Sequence, residues 1–151
     1  MLADFYEARD IINGARLPVT FSGEGGDRPA TAGEPEGRKR RLDGYYVVTE
    51  RLKRHEEFFA KLFARRYRFI ALFGVDAGKF FNDLFVIRND ILLTVNYLVG
   101  EFADQWTEID RRRMEEKIGW GDPTNDLVRK DLDGIVQTVE GICRPIIQAS
   151  A

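Results

Sequence analysis

The sequence predicts an all-α protein, an antiparallel bundle of about four helices built on one long αα-hairpin. Three observations carry this. Apolar residues recur at alternating three- and four-residue spacing from Tyr45 to Phe102, the period of one helical face rather than of a strand. No proline interrupts that stretch, and the short connection Phe73-Gly74-Val75-Asp76 divides it into two arms.

In the first arm the series Tyr45, Leu52, Phe59, Arg66, Phe73 interleaves with Val48, His55, Leu62 and Phe69. The second arm carries Phe81, Leu84, Arg88, Ile91, Val95, Leu98 and Phe102 at the same spacing. At about 1.5 Å of rise per residue each arm would be roughly 40 Å long or more. A short connection between two such stripes favours antiparallel packing. Gly74 can take the left-handed conformation that ends a helix, and Asp76 can cap the first amides of the next.

The flanking material covers this hairpin. Phe5, Ala8, Ile12 and Ala15 share one face of a short helix from about Ala3 to Ala15, and Pro18 stops it. Residues 18–37 hold three of the five prolines and a run of glycines, so they are expected to form a flexible loop. Gly23-Glu24-Gly25-Gly26 lacks the preceding strand, the Lys-Ser/Thr pair and the following helix of a phosphate loop. Its Glu24 and the nearby Asp27 would repel phosphate. Past Phe102 the helix either continues or breaks near Gly100 and Asp104, and Asp104 to Lys117 reads as a charged, solvated extension that ends at Gly119-Trp120-Gly121. Asp122 with Pro123 marks the start of a last helix, whose apolar face is Val128, Leu132, Ile135, Val139, Ile142 and Ile146. Gly134 and Gly141 on it would allow close approach of a neighbouring helix, and Pro145 would kink or end it. At 151 residues the whole chain, 1–151, reads as a single domain.

Composition narrows the chemistry. Eleven Phe supply much of the expected buried area. One Cys, Cys143, excludes an internal disulfide, and one His, His55, excludes any site that needs two imidazoles. No metal and no cofactor is expected, and no nucleophile–base pair stands out, so the chain does not read as an enzyme. No apolar run approaches the roughly 18 residues of a membrane span. The expected location is the cytoplasm, or the soluble part of a membrane-anchored protein.

Net charge is −2, but its distribution is uneven. Residues 36–73 hold eleven Lys or Arg against five Asp or Glu, a local balance of +6. Arg38, Lys39, Arg40 and Arg41 open the first long helix, where cations oppose the macrodipole, which implies either a frayed, solvated start or a contact with something acidic. With Arg65 and Arg68 they form a candidate basic patch. Either it pairs with acidic neighbours across the bundle, or it faces phosphates or acidic lipid.

Three polar residues interrupt the apolar stripes. His55 and Arg66 lie on the first arm, where Arg66 can run its stem along the core and lift its head group to the edge. Arg88 lies on the second, one turn from Leu84 and Ile91, and an unpaired charge there is costly. Either a carboxylate on the facing helix, Glu56 or Glu57, meets it, or it holds an anionic ligand. Arg88, Asn89, Arg66 and His55 are therefore the candidate anion or ion-pair site.

Arg88-Asn89, on a helix of an all-α bundle, resembles the start of the Arg-Asn-x-x-x-His signature of HEPN domains. That family includes many ribonucleases, in which the Arg and His act together on the RNA phosphate. Here Leu93, Thr94 and Val95 occupy the positions where the His would fall. The resemblance therefore implies a relative without the activity. Arg-Tyr-Arg-Phe, Phe-Gly and Ile-Arg-Asn-Asp-Ile are also similar to segments of small bacterial helical proteins, some with an N-terminal membrane anchor.

Two functional expectations follow. One is a non-catalytic helical interaction or scaffold module that binds a protein partner or self-associates through surplus apolar helix surface. The other is a degenerate HEPN-like RNA- or nucleotide-binding protein that uses Arg88 and the basic face around Arg65, Arg66 and Arg68. A membrane surface becomes a partner only for a chain that once carried an upstream anchor.

Overall fold

A computed structural model describes all 151 residues, Met1 to Ala151. Seven α-helices and two short 3₁₀ turns make up its regular structure. Four helices are long: α1 (Leu2–Ala15), α2 (Glu36–Lys53), α5 (Lys79–Val99) and α7 (Leu127–Ala149). Three are short: α3 (Glu56–Ala64), α4 (Arg66–Phe73) and α6 (Glu108–Lys117). The 3₁₀ turns cover Val75–Gly78 and Pro123–Asn125. No helix is long and apolar enough to cross a membrane.

The hairpin is present, but its first arm is not one helix. Tight i→i+3 bonds, from His55 N to the Leu52 carbonyl and from Arg65 N to the Leu62 carbonyl (both 3.1 Å), break it into α2, α3 and α4. The breaks fall beside the two polar interruptions of the stripe. Turning the chain there leaves His55 exposed and Arg66 at the edge, while Tyr45, Val48, Leu52, Phe59, Leu62 and Phe69 stay buried. Gly74 ends α4 at φ +90. Asp76 makes no cap bond to α5; it sits exposed within the first 3₁₀ turn.

α2 packs against α5, α1 against both α2 and α7, and α5 also against α6 and α7. Aromatic rings tie these layers together. Phe5 of α1 meets Phe81 of α5 edge-on at 5.0 Å, and Phe81 meets Phe69 of α4 at 5.4 Å. Each fully buried Phe contributes on the order of 1.5–3 kcal/mol. Ile118 is buried beyond α6, and Trp120 tilts over Tyr45 at 4.8 Å. Gly119, at φ +96, passes so close to the Arg16 carbonyl that a Cβ would sit 1.9 Å from it. The α1 end and the α6 end are thereby locked, and the Arg16 guanidinium reinforces the lock. It donates to both Asp126 oxygens at 2.9 Å and to the Lys117 and Glu116 carbonyls.

α5 ends at Val99 with Gly100 as its cap, one of the two outcomes the sequence leaves open, and Thr107 caps α6 through Asp110 N, so the charged stretch is a separate helix. Two expectations near the C-terminal half are corrected. Asp122 caps only the turn Pro123–Asn125; Asp126 caps α7 at Arg129 N. Gly134 and Gly141 face outward with nothing within 4 Å, so no helix of this chain approaches them, and α7 runs through Pro145 to Ala149.

Residues 18–35 carry no helix, and α2 begins at Glu36, inside the expected loop. The segment is nonetheless held by named contacts. Gly25 N and Asp27 N donate to the buried Glu50 carboxylate at 2.7 and 3.0 Å. Arg51 donates to both oxygens of Glu24, at 2.8 and 2.7 Å, and to the Leu17 and Val19 carbonyls. Buried Arg28 bridges Glu34 and Asp43. The glycine-rich piece does cradle an anion with its amides, and that anion is a side chain of α2.

Candidate functional site

Arg88 lies on α5 where α3 crosses it. Its guanidinium carbon sits 5.0 Å from the centre of the Phe59 ring, within the range of a cation–π contact. Around it runs an aromatic chain: Phe58 to Phe59 at 5.3 Å, Phe59 to Phe63 at 6.1 Å and Phe63 across to Phe85 at 5.2 Å. The α3 sequence Glu-Glu-Phe-Phe-Ala-Lys-Leu-Phe builds this surface, because Phe59 and Leu62 point into the core and leave Phe58 and Phe63 half-buried beside it.

No carboxylate meets Arg88. Glu57 pairs with Lys61 of its own helix at 2.7 Å. Glu56 acts on Arg88 only as a nearby charge, and no ion pair forms between them. The one polar neighbour in reach, Asn89 Oδ1, lies 3.5 Å from Nη1, at the outer limit of a hydrogen bond. Nε is buried with no partner. Burial lowers the affinity of this guanidinium for its proton and Glu56 raises it, yet arginine starts so high that it stays cationic. The expected internal ion pair is absent, and the side chain is a half-buried cation without a counter-ion.

The other candidates lie elsewhere. Arg66 stands near Gly78 and Tyr67, its Nε also buried without a partner. Gly78 precedes Arg88 by ten residues, roughly 15 Å along the helix. His55 is exposed at the α2–α3 break. It lines an open cleft of about 820 Å³ with Glu7, Asp10, Glu24, Arg51 and Arg54. Only Arg88 and Asn89 of the four come together.

Half of the basic patch is consumed within the chain. Arg38 pairs with Asp104 at 3.0 Å and with Glu34. Lys39 pairs with Asp43 at 2.8 Å, and Arg65 with Asp4 at 2.8 Å. Arg40, Arg41 and Arg68 stay exposed and unpaired. Acidic neighbours account for half of the patch.

Sequence reasoning missed the outer face of α5. Phe85, Val86, Leu93 and Tyr97 are 46, 62, 47 and 45% exposed, which leaves four large apolar side chains of one helix in contact with water. The inner stripe drew attention because its period is strong; these residues fall between its teeth. The signal for this face is the same three- and four-residue spacing started at Asn82 rather than Phe81. No protein-family model, curated protein or solved structure matches the chain.

Proposed function

We propose that the chain is a non-catalytic helical interaction module that docks a protein on the α3–α5 face. Arg88 is the single observation that carries this reading. It has no internal carboxylate, its Nε is buried and orphaned, and exposed or half-exposed aromatic rings surround it. A docking partner that brought a carboxylate to Arg88 and apolar side chains to Phe63 and Phe85 would satisfy both needs at once. Arginine and aromatic residues dominate the energetic centres of such interfaces.

A photoreactive amino acid at position 85 tests the reading in cells that express the protein. Discrete protein adducts are expected, and Arg88→Met should weaken them. Only free chain, or adducts indifferent to Arg88, would reject it. The RNA-binding reading draws on Arg88 and the basic face around Arg65, Arg66 and Arg68, of which Arg65 pairs with Asp4; within the wider patch Arg40, Arg41 and Arg68 are left, beside the 75% exposed Tyr67. It has three unpaired surface cations to work with rather than six.

A further inference from the structure

We infer that the partner is a second copy of this chain, packed through an antiparallel α5–α5 pair with its two-fold axis at Asn89; this rests on the interaction reading above. The outer face of α5 is a regular seam. Asn82, Val86, Asn89, Leu93 and Asn96 follow one another at four- and three-residue steps, the spacing of a helix–helix contact line. Asn82, Val86, Leu93 and Asn96 are exposed and Asn89 is half-buried. Phe81, Leu84, Ile91, Val95 and Leu98 occupy the opposite, buried side. Asparagine is a poor helix former. Three of them seven residues apart on a bare seam, with Val and Leu between, make a pattern that solvent alone does not require.

The pattern is symmetric about Asn89. Asn82 lies seven residues before it and Asn96 seven after; Phe85 lies four before and Leu93 four after. An antiparallel pair with its two-fold there sets Asn89 against Asn89 of the partner subunit, Asn82 against the partner's Asn96, and Phe85 against the partner's Leu93. A side-chain amide both donates and accepts, so amide opposite amide is self-satisfying. Residues placed equally either side of a two-fold are what an isologous contact needs.

Charge follows the same symmetry. Two helices related this way bring like flank to like flank, so the α3 edge of one copy meets the α3 edge of the other. That edge holds Arg88, which has no counter-ion, and Glu56, an exposed carboxylate with no ion pair. That flank brings the partner's Glu56 toward each Arg88 as it brings the two Arg88 side chains toward each other, so the free carboxylate offsets the repulsion between them. The other flank carries Asp83 and Asp90, which Lys79 and Lys117 already neutralise at 2.6 and 3.0 Å. No unpaired like charges are forced together there. Phe58 and Phe63 of α3 extend the buried area beyond α5 itself, toward the roughly 800 Å² per partner of a standard interface.

Disulfide trapping tests the arrangement, in a Cys143→Ala background. Asn89→Cys should cross-link to itself under mild oxidation. Asn82→Cys and Asn96→Cys should each fail alone and cross-link when mixed. Cross-linking of all three to themselves would mean a parallel pair and overturn the proposal. In sedimentation, Leu93→Asp should weaken the dimer roughly thirty-fold or more, as loss of an interface centre does, while circular dichroism stays unchanged. A wild-type chain that remains monomeric at high concentration, or a dimer indifferent to Leu93→Asp, would also overturn it. Heavier adducts from position 85 in a monomeric chain would remove the homodimer and leave the interaction reading standing.

Discussion

Replacing Arg51 by Met should destabilise the protein by about 2–4 kcal/mol, at the scale of breaking one partner out of a buried ion pair. The magnitude follows from what Arg51 holds. Its side chain is 10% exposed and that of Glu24 is 7% exposed, and the two share a bidentate contact, so the substitution leaves that carboxylate with only the Phe21 amide at 2.9 Å and the more distant Arg54 at 3.8 Å. It also removes the donor that satisfies the Leu17 and Val19 carbonyls. In a chain of this length the loss corresponds to a fall in Tm of roughly 5–15 °C. Chemical denaturation of Arg51→Met, Glu24→Gln and the double variant gives the coupling between the two side chains. The double variant should recover part of the loss, because no charge is then left stranded. Acid provides a second reading of the same contact. The Arg51 hydrogen bond, against the opposing effect of burial, holds the Glu24 carboxyl down at about 2. A depressed carboxylate stabilises the fold above its unfolded pKa of about 4.5 and loses that contribution as pH falls through the folded value. Wild type should therefore lose stability between about pH 5 and pH 2, and Arg51→Met should lose less over that range. Equal stabilities at pH 7, within about 0.5 kcal/mol, would refute the view that this clasp holds residues 18–35.

Arg88→Met should behave in the opposite sense: in dilute protein its Tm should hold or rise by up to a few degrees, because no internal pair is lost and an orphaned Nε is removed; a drop of more than about 5 °C in differential scanning fluorimetry would mean a hidden partner within the chain. Gly25→Ala should cost about 1–3 kcal/mol in urea titration, since Gly25 sits at φ +84 and the new Cβ would meet the Asp43 carbonyl at 2.7 Å. An effect no larger than that of Ala at Gly26, where nothing lies closer than 3.6 Å, would show that this close approach does not exist. Tyr45→Phe should cost about 1 kcal/mol through loss of the Glu115 bond, measured by the same titration; no change would place the hydroxyl in water.

The all-α class and the core were legible because one physical signal, periodicity, dominates them. The stripe from Tyr45 to Phe69 is buried wherever it is apolar and bends where it is polar. His55 and Arg66 therefore mark breaks, where the seven-residue spacing alone predicts an unbroken face. The loop was harder. Its glycines and prolines correctly ruled out a helix. Composition cannot show that Glu50, sixteen residues beyond Glu34, supplies the anion its amides bind, since that contact depends on where α2 lies. Arg88 was legible as a problem and not as a solution. A charge on an apolar stripe must find a counter-ion, and the sequence cannot reveal that both nearby glutamates on α3 fail to supply one. The α5 seam was present in the sequence throughout, at the same period as the core stripe and rotated from it.

The most direct test of the docking surface is hydroxyl-radical footprinting of Phe85, Val86, Leu93 and Tyr97, in the purified chain at high dilution and again inside expressing cells. At dilution all four should oxidise at rates in keeping with their exposure, and in cells they should be protected several-fold while Tyr67, on α4, stays reactive. Equal oxidation of the four in both settings would contradict an interaction face on α5.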